Sequence, residues 1–406
     1  MDSLITAAAR ALAAGDVLEA LNRVALRDDA PALALRGIAM ARLGDLQRAT
    51  ELLRRAARAF GGREPVARAR CQLAEAEIAL VSRDLGRITR TLETARAVLA
   101  RFGDRANAAH AGCLEARRLL LVGQLDRAEA VLREIDIGAL PLASRVGHGL
   151  VTAGIAMRRI RTAPALAAIE TAERAALAAG IPALLAEVER ARGALAEPAA
   201  RLVTGDRSRP LSLAEVEELL ASGALVIDAC RNRVRAGTAE AGLSRRPVLF
   251  ALARALGEAW PRDVPRDALL ARAFGARHAD ASHRARLRVE IGRLRETLRP
   301  FATLQATKAG FVLVPDDGAE VAVLAPPVED GHAAVLALLS DGEAWSSSSL
   351  ALALGVSPRT VLRALERLAE ADKVESFGRG RACRWIARSP PGFPTSLLLP
   401  AAPPGL

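Results

Sequence analysis

Residues 281–299 read ASHRARLRVEIGRLRETLR. Leu287, Ile291, Leu294 and Leu298 follow i, i+4, i+7 and i+11, the spacing that lines one face of a helix, so the stretch is predicted as a helix with a single buried stripe. The rest of its surface carries Arg286, Arg288, Arg293, Arg295 and Arg299, and from Ala281 to Gly310 there are seven basic residues, Lys308 among them, against two acidic ones. Such a helix suits the major groove of duplex DNA. A guanidinium can pair there with guanine O6 and N7 while its neighbours hold phosphates. The alternative is a solvated arginine-rich face with no ligand.

The flanks extend this reading. Residues 201–210 hold Gly, Ser and Pro and read as a linker, followed by a short helix over 211–221. Residues 225–228 and 232–237 are predicted as a β-hairpin. Leu243-Ser244 precedes a helix over 247–257, Val264-Pro265-Arg266-Asp267 opens another over 268–274, and 304–314 forms a closing hairpin around Gly310. Four landmarks, Leu243-Ser244, Pro265-Arg266-Asp267-x-Leu269, Val289-x-Ile291-x-x-Leu294-Arg295 and Gly310-Phe311, stand in the order of the OmpR/PhoB-type winged helix. The segment resembles that family over about 90 residues, with Pro247 and Glu290 departing from its pattern. The resemblance implies a DNA-binding domain over 223–315, a third helix in the groove, and Lys308 in the wing.

Toward the N-terminus, residues 4–195 are almost all helix formers. A local pattern recurs at Gly15-Asp16, Gly44-Asp45, Arg83-Asp84 and Gly123-Gln124, with starts 29, 39 and 40 residues apart. Each instance lies between two apolar helical stretches, which predicts helical hairpins that must stack to bury their apolar faces. Residues 1–200 thereby resemble tetratricopeptide-type repeats, implying an α-solenoid that holds a protein or peptide partner or a second protomer as a homodimer. An unrepeated helical bundle is the alternative. Charge nearly cancels here, 29 basic against 23 acidic residues, so this half predicts a binding groove rather than a polyanion surface.

Toward the C-terminus, residues 316–330 are acidic and contain Pro, which reads as a spacer. Residues 331–388 follow as a second module. Gly355-Val356-Ser357 separates two short helices, with Ser357 as N-cap and Pro358 at the first helical position, a helix-turn-helix cue. Val361, Leu365 and Leu368 point inward on the second helix, while Arg359, Thr360, Arg363 and Arg367 point outward. A hairpin over 374–386 carries Gly378-Arg379-Gly380-Arg381 at its tip, a basic wing. The module resembles the winged helix-turn-helix of MarR- and DeoR-like regulators. Residues 389–406 read as a Pro-rich tail.

The fold class expected is therefore mainly α: an N-terminal helical solenoid followed by two winged helix-turn-helix domains. The 406-residue chain is 51% hydrophobic with a net charge of +11, composition that excludes a disordered chain. Of its 57 basic residues only Lys308 and Lys373 are lysine. Arginine bias of this kind raises the charge of any protein written by a GC-rich coding sequence, so only the position of the charge is informative. Apolar runs are broken well short of the roughly 20 residues a bilayer needs, and the N-terminus begins Met-Asp-Ser, without the basic region of a secretory signal. A cytoplasmic protein without a membrane partner is expected. Cys71, Cys113, Cys230 and Cys383 lack metal-site spacing and are predicted as buried thiols. No nucleotide loop, nucleophile elbow or zinc-protease helix is found, so no catalysis and no cofactor are expected. The cluster His278-Ala279-Asp280-Ala281-Ser282-His283 serves better as a helix start than as a metal site. With aromatics at 3%, stacking on single strands is disfavoured. The function expected is a sequence-specific double-stranded-DNA-binding transcription regulator. Two alternatives are a scaffold whose winged helices contact proteins and a replication-initiator-type DNA binder.

Overall fold

A computed structural model of the chain describes every residue except 1, 86–87, 206, 244–245, 275–280, 328–331, 340–343, 355, 372, 381–382 and 388–406. The protein is mainly helical, with eighteen α-helices and three small sheets among the described residues. It divides into two compact units, one comprising Met1–Arg158, Ala163–Arg192 and His332–Leu406, the other Arg159–Thr162 and Gly193–Gly331.

The first unit begins with α1 (Ser3–Ala13), α2 (Val17–Val24), α3 (Ala30–Arg42), α4 (Leu46–Phe60), α5 (Pro65–Val81), α6 (Ile88–Arg101), α7 (Arg105–Leu121), α8 (Leu125–Arg133), α9 (Leu142–Arg158), α10 (Thr162–Ala179) and α11 (Pro182–Ala196). From α1 to α9 each helix packs on the next, and α1, α3, α5, α7 and α9 each touch the next of that series. The recurring dipeptide explains how the helices are joined. At Gly15-Asp16, Gly44-Asp45, Arg83-Asp84, Gly103-Asp104 and Gly123-Gln124 the second residue's N–H bonds the carbonyl five residues back and the first residue's N–H bonds the carbonyl three back, a Schellman close. The first residue is left-handed, with φ from +50° at Arg83 to +88° at Gly44, which is why glycine recurs there. The aspartate then starts the following helix: Asp16, Asp45 and Asp104 accept from the backbone N–H of Glu19, Arg48 and Asn107. One dipeptide thus ends a helix and caps its successor. Sequence reading found four of these turns and missed Gly103-Asp104, which joins α6 to α7.

Residues 200–325 form β1 (Ala200–Thr204), β2 (Arg207–Leu211), α12 (Leu213–Ala221), β3 (Leu225–Asp228), β4 (Arg233–Ala236), β5 (Ala239–Gly242), α13 (Pro247–Ala259), β6 (Val264–Pro265), α14 (Arg266–Phe274), α15 (Ala281–Leu298), β7 (Ala302–Ala306), β8 (Gly310–Pro315) and β9 (Val321–Ala325). Six strands make one sheet in the order β2-β1-β9-β3-β4-β5, and β6-β8-β7 make another. Two expectations are corrected. The linker expected over 201–210 is an antiparallel hairpin, β1 with β2, while the short helix expected after it is present as α12. The spacer over 316–330 contains β9, which runs antiparallel to β1 and parallel to β3 in the interior of the larger sheet. All five residues of β9 are buried, as befits a strand covered on both faces. The faces alternate with period two. Leu225, Ile227, Val321 and Val323 join the core under α13–α15, whereas Val226, Ala322 and Leu324 join Leu211 and Val216 on the other side.

A capping box fixes the start of α12: Ser212 and Glu215 each bond the other's backbone N–H. The Ser212 N–H and then the Arg209 guanidinium, at 2.8 and 2.7 Å, bring the Glu215 carboxyl from an ordinary 4.5 down to about 2. A carboxylate with a depressed folded-state pKa contributes its full stability above the ordinary value and loses it as pH falls through the depressed one. Ser212→Ala is expected to cost about 1 kcal/mol. Glu215→Gln is expected to flatten the decline in stability between pH 4.5 and about 2, read by urea unfolding at stepped pH. An unchanged acid limb would refute the assignment.

The chain then returns to the first unit with α16 (Ala333–Leu339), α17 (Ser347–Leu354), α18 (Pro358–Glu370), β10 (Val374–Phe377) and β11 (Arg384–Ala387), the last two paired antiparallel. Sequence reading made residues 331–388 a domain of their own. Instead they share a core with the helical array, in which Leu80, Leu85, Leu92 and Leu114 pack with Trp345, Leu350, Leu365 and Leu368. The Leu85 N–H donates to Ser349 Oγ at 3.2 Å. The physical reason is supply: three short helices over a two-stranded sheet offer too few partners to cover Trp345, which is fully buried. Arg83 belongs to this junction. Its left-handed backbone costs roughly 1–2 kcal/mol where glycine would cost little, and its buried guanidinium donates to the Leu80 carbonyl at 2.9 Å and lies 5.5 Å from the Trp345 ring centroid.

Candidate nucleic-acid interface

The apolar stripe of α15, Leu287, Ile291, Leu294 and Leu298, is buried under α13 and the β7–β8 hairpin. Arg286, Arg288, Arg293, Arg295 and Arg299 are all exposed, but they occupy two flanks of the helix. Arg288, Arg295 and Arg299 share one flank with Arg284, at i, i+4, i+11 and i+15 counted from Arg284. Arg286 and Arg293 lie on the other. There Arg286 stacks 4.7 Å from the Phe274 ring centroid and Arg293 pairs with Glu290 at 3.0 Å. Glu290, an unexplained acid in the sequence, thus restrains one of the arginines expected to read bases.

The first flank runs beside the β7–β8 hairpin. Arg295 donates to the Leu304 carbonyl at 3.0 Å and lies 5.8 Å from the Phe311 ring centroid. Arg266, at the start of α14, donates to the carbonyls of Thr307 and Lys308 at 3.1 and 3.0 Å and lies 5.3 Å from the same ring. These bonds hold the hairpin turn with Lys308 exposed at its tip. Thr307 Oγ1 accepts the Gly310 N–H at 2.8 Å and donates to Asp263. Among the described residues, Arg284, Arg288 and Arg299 have no hydrogen-bond or ion-pair partner. Sequence reading passed over Arg284, whose place on the flank follows from the same helical spacing as its neighbours, and over Arg266, whose positioning role depends on a chain-distant turn.

On α18 the Ser357 side chain accepts from the Thr360 N–H at 3.2 Å with Pro358 at the first position. Val361, Ala364, Leu365 and Leu368 are buried; Arg359, Thr360, Arg363 and Arg367 are exposed. The arginines recur every four residues as a ridge, with exposed Glu366 and Glu370 on the next. The Thr360 hydroxyl bonds Ser357 Oγ at 2.9 Å, so its polar group is engaged in the cap. Arg379 is exposed between the left-handed Gly378 and Gly380. Arg381 lies outside the described residues.

Other candidates are less productive. His278 and Asp280 lie outside the described residues, while the His283 ring sits 6.4 Å from that of Phe274. No group of three metal-ligating side chains occurs among the described residues, nor any helix long and apolar enough to cross a membrane. The four cysteines are free, and burial pushes the Cys71 and Cys113 thiols up to about 12. Cys230 is exposed and Cys383 only half-buried, contrary to the expectation of buried thiols. No protein-family model matches the chain, and no curated protein matches it.

Proposed function

We propose that the protein is a sequence-specific double-stranded-DNA-binding transcription regulator in a cytoplasmic setting. In this reading α13–α15 with the β7–β8 hairpin form an OmpR/PhoB-type winged helix, and α17–α18 with β10–β11 form a second winged helix-turn-helix. The stacked hairpins α1–α11 form a tetratricopeptide-like solenoid for a protein or peptide partner or a second protomer.

The observation that carries the reading is the arginine flank of α15. Arg284, Arg288 and Arg299 stand exposed without protein partners among the described residues, on the side where Arg295 bonds β7 and Arg266 fixes the Lys308 turn. Unspent guanidiniums beside a braced cationic turn are what phosphate contacts and groove entry require. Arg288 is the residue best placed to reach a base edge, with Arg284, Arg299 and Lys308 on phosphates. Arg286 and Arg293 act from the opposite flank.

Salt-titrated mobility shifts test this. Changing Arg284, Arg288 and Arg299 together to alanine is expected to reduce the log–log salt slope by roughly one unit per arginine. Retention on random duplex that is indifferent to salt would overturn the reading. A scaffold reading has its own support in the C-terminal module, whose inner face already packs on another part of the chain and whose α18 carries Glu366 and Glu370. Replacing Arg359, Arg363 and Arg367 by alanine separates the two, because a protein-binding module would leave DNA affinity unchanged.

A further inference from the structure

The turn of the β1–β2 hairpin carries cationic charge that the winged-helix reading does not use. Thr204 and Arg207 are the last paired residues before the turn, and β2 lies at the edge of the six-stranded sheet. The hairpin precedes the segment 223–315 that resembles the OmpR/PhoB-type domain, so the resemblance implies nothing about it. The turn is nonetheless tied to that domain. The Gly205 N–H donates to the carbonyl of Glu258, in the last turn of α13, at 2.9 Å. A Cβ built on Gly205 would lie 3.8 Å from Arg262 Nη2, so the Arg262 guanidinium stands beside the turn that Arg207 closes. Arg262 in turn adjoins Asp263, which accepts the Thr307 hydroxyl in the Lys308 turn.

Arg207 and Arg262 are both exposed and have no hydrogen-bond or ion-pair partner among the described residues. Two acids beside them are already engaged. Glu258 accepts from Arg254 at 2.6 Å and from Arg272, and Asp263 is held by Thr307. Asp206, in the turn itself, lies outside the described residues. The other arginines of the hairpin are occupied, Arg209 with Glu215 at 2.7 Å and Arg201 with Ser208 Oγ at 3.2 Å. Unpaired guanidiniums at one turn attract a polyanion, and phosphate oxygens match their forked donors.

We propose that the β1–β2 turn is an accessory phosphate-binding element, in which Arg207 and Arg262 continue the backbone contacts of the candidate winged helix from the Lys308 turn onto flanking duplex DNA. The inference rests on the DNA-binding reading and adds to it a contact that carries no sequence information, because phosphate contacts set grip and register rather than base preference.

Salt-titrated mobility shifts of the full chain on random duplex DNA test the element. Arg207→Ala combined with Arg262→Ala is expected to reduce the log–log salt slope by roughly two units, one for each arginine, and to weaken binding to every sequence alike. Arg207→Lys combined with Arg262→Lys is expected to keep most of the slope, because lysine retains the charge. A wild-type slope in the alanine pair, beside a reduced slope when Arg284, Arg288 and Arg299 are changed, would overturn this inference and leave the DNA-binding reading standing. Binding by the unmodified chain that is indifferent to salt would overturn both. Equal losses in the alanine and lysine pairs would also overturn the inference, since the turn would then supply structure rather than charge.

Discussion

Replacing Gly310 with alanine is expected to destabilise the second unit by roughly 3–5 kcal/mol, a large part of the 5–15 kcal/mol typical of a domain. An added Cβ would lie 1.7 Å from the Val264 carbonyl oxygen, 2.6 Å from its carbon and 2.9 Å from Pro265 Cα. Every one of those atoms is backbone, so no side-chain rotamer can relieve the clash. The β6–β8 pairing, Val264 with Phe311 and Pro265 with Gly310, must open instead. The need for glycine here is proximity, not a left-handed torsion. Opening the pair also frees the turn that Arg266 and Thr307 hold, so any DNA affinity that depends on Lys308 should fall with stability. Urea unfolding gives the first effect and mobility shifts the second; a wild-type midpoint would contradict the close approach.

Trp345→Ala should be of similar size. Removing a fully buried indole typically costs about 3–5 kcal/mol through lost burial and the cavity left behind. The loss falls on the core that the array shares with α16–α18, and it also removes the ring over which Arg83 lies. Hydrogen exchange should therefore show residues of α17, α18, β10 and β11 opening at a lower free energy than α3 and α4, which belong to a different cluster. Uniform protection across both groups would show that the module does not depend on this contact.

Features set by near neighbours in the sequence were the ones that could be read from it. The Gly-Asp turns need only their own backbone and the next helix's first turn. The stripe of α15 follows from helical periodicity, and Ser357-Pro358 carries its capping function locally. Features set by distant partners were hidden. β9 is five residues long and flanked by Asp316, Asp317 and Glu320 on one side and prolines on the other, so its surroundings read as spacer. What makes it a strand is Arg201 opposite Ala325 and Leu225 beside Val321. Gly205 and Pro210 likewise marked a hairpin turn and an edge strand, not a linker. At the candidate interface, charge and spacing gave the helix and its arginines. Which of them Glu290, Phe274 and the Leu304 carbonyl occupy depended on packing.

The position of β9 also governs the order in which the second unit can assemble. Synthesis delivers β1 to β5, the three helices α13–α15 and the β7–β8 hairpin before it delivers the strand that lies between β1 and β3. Until residue 325 leaves the ribosome, the hairpin β1–β2 and the meander β3–β5 are two separate ribbons, each with an unsatisfied edge facing a gap one strand wide. Loop-closure entropy over more than a hundred residues must be met before β1 and β9 reward it. Completion of the sheet is thus a late and slow event. Helix α13 inherits that timing, because it packs on β9, whose Val321 and Val323 belong to the same core.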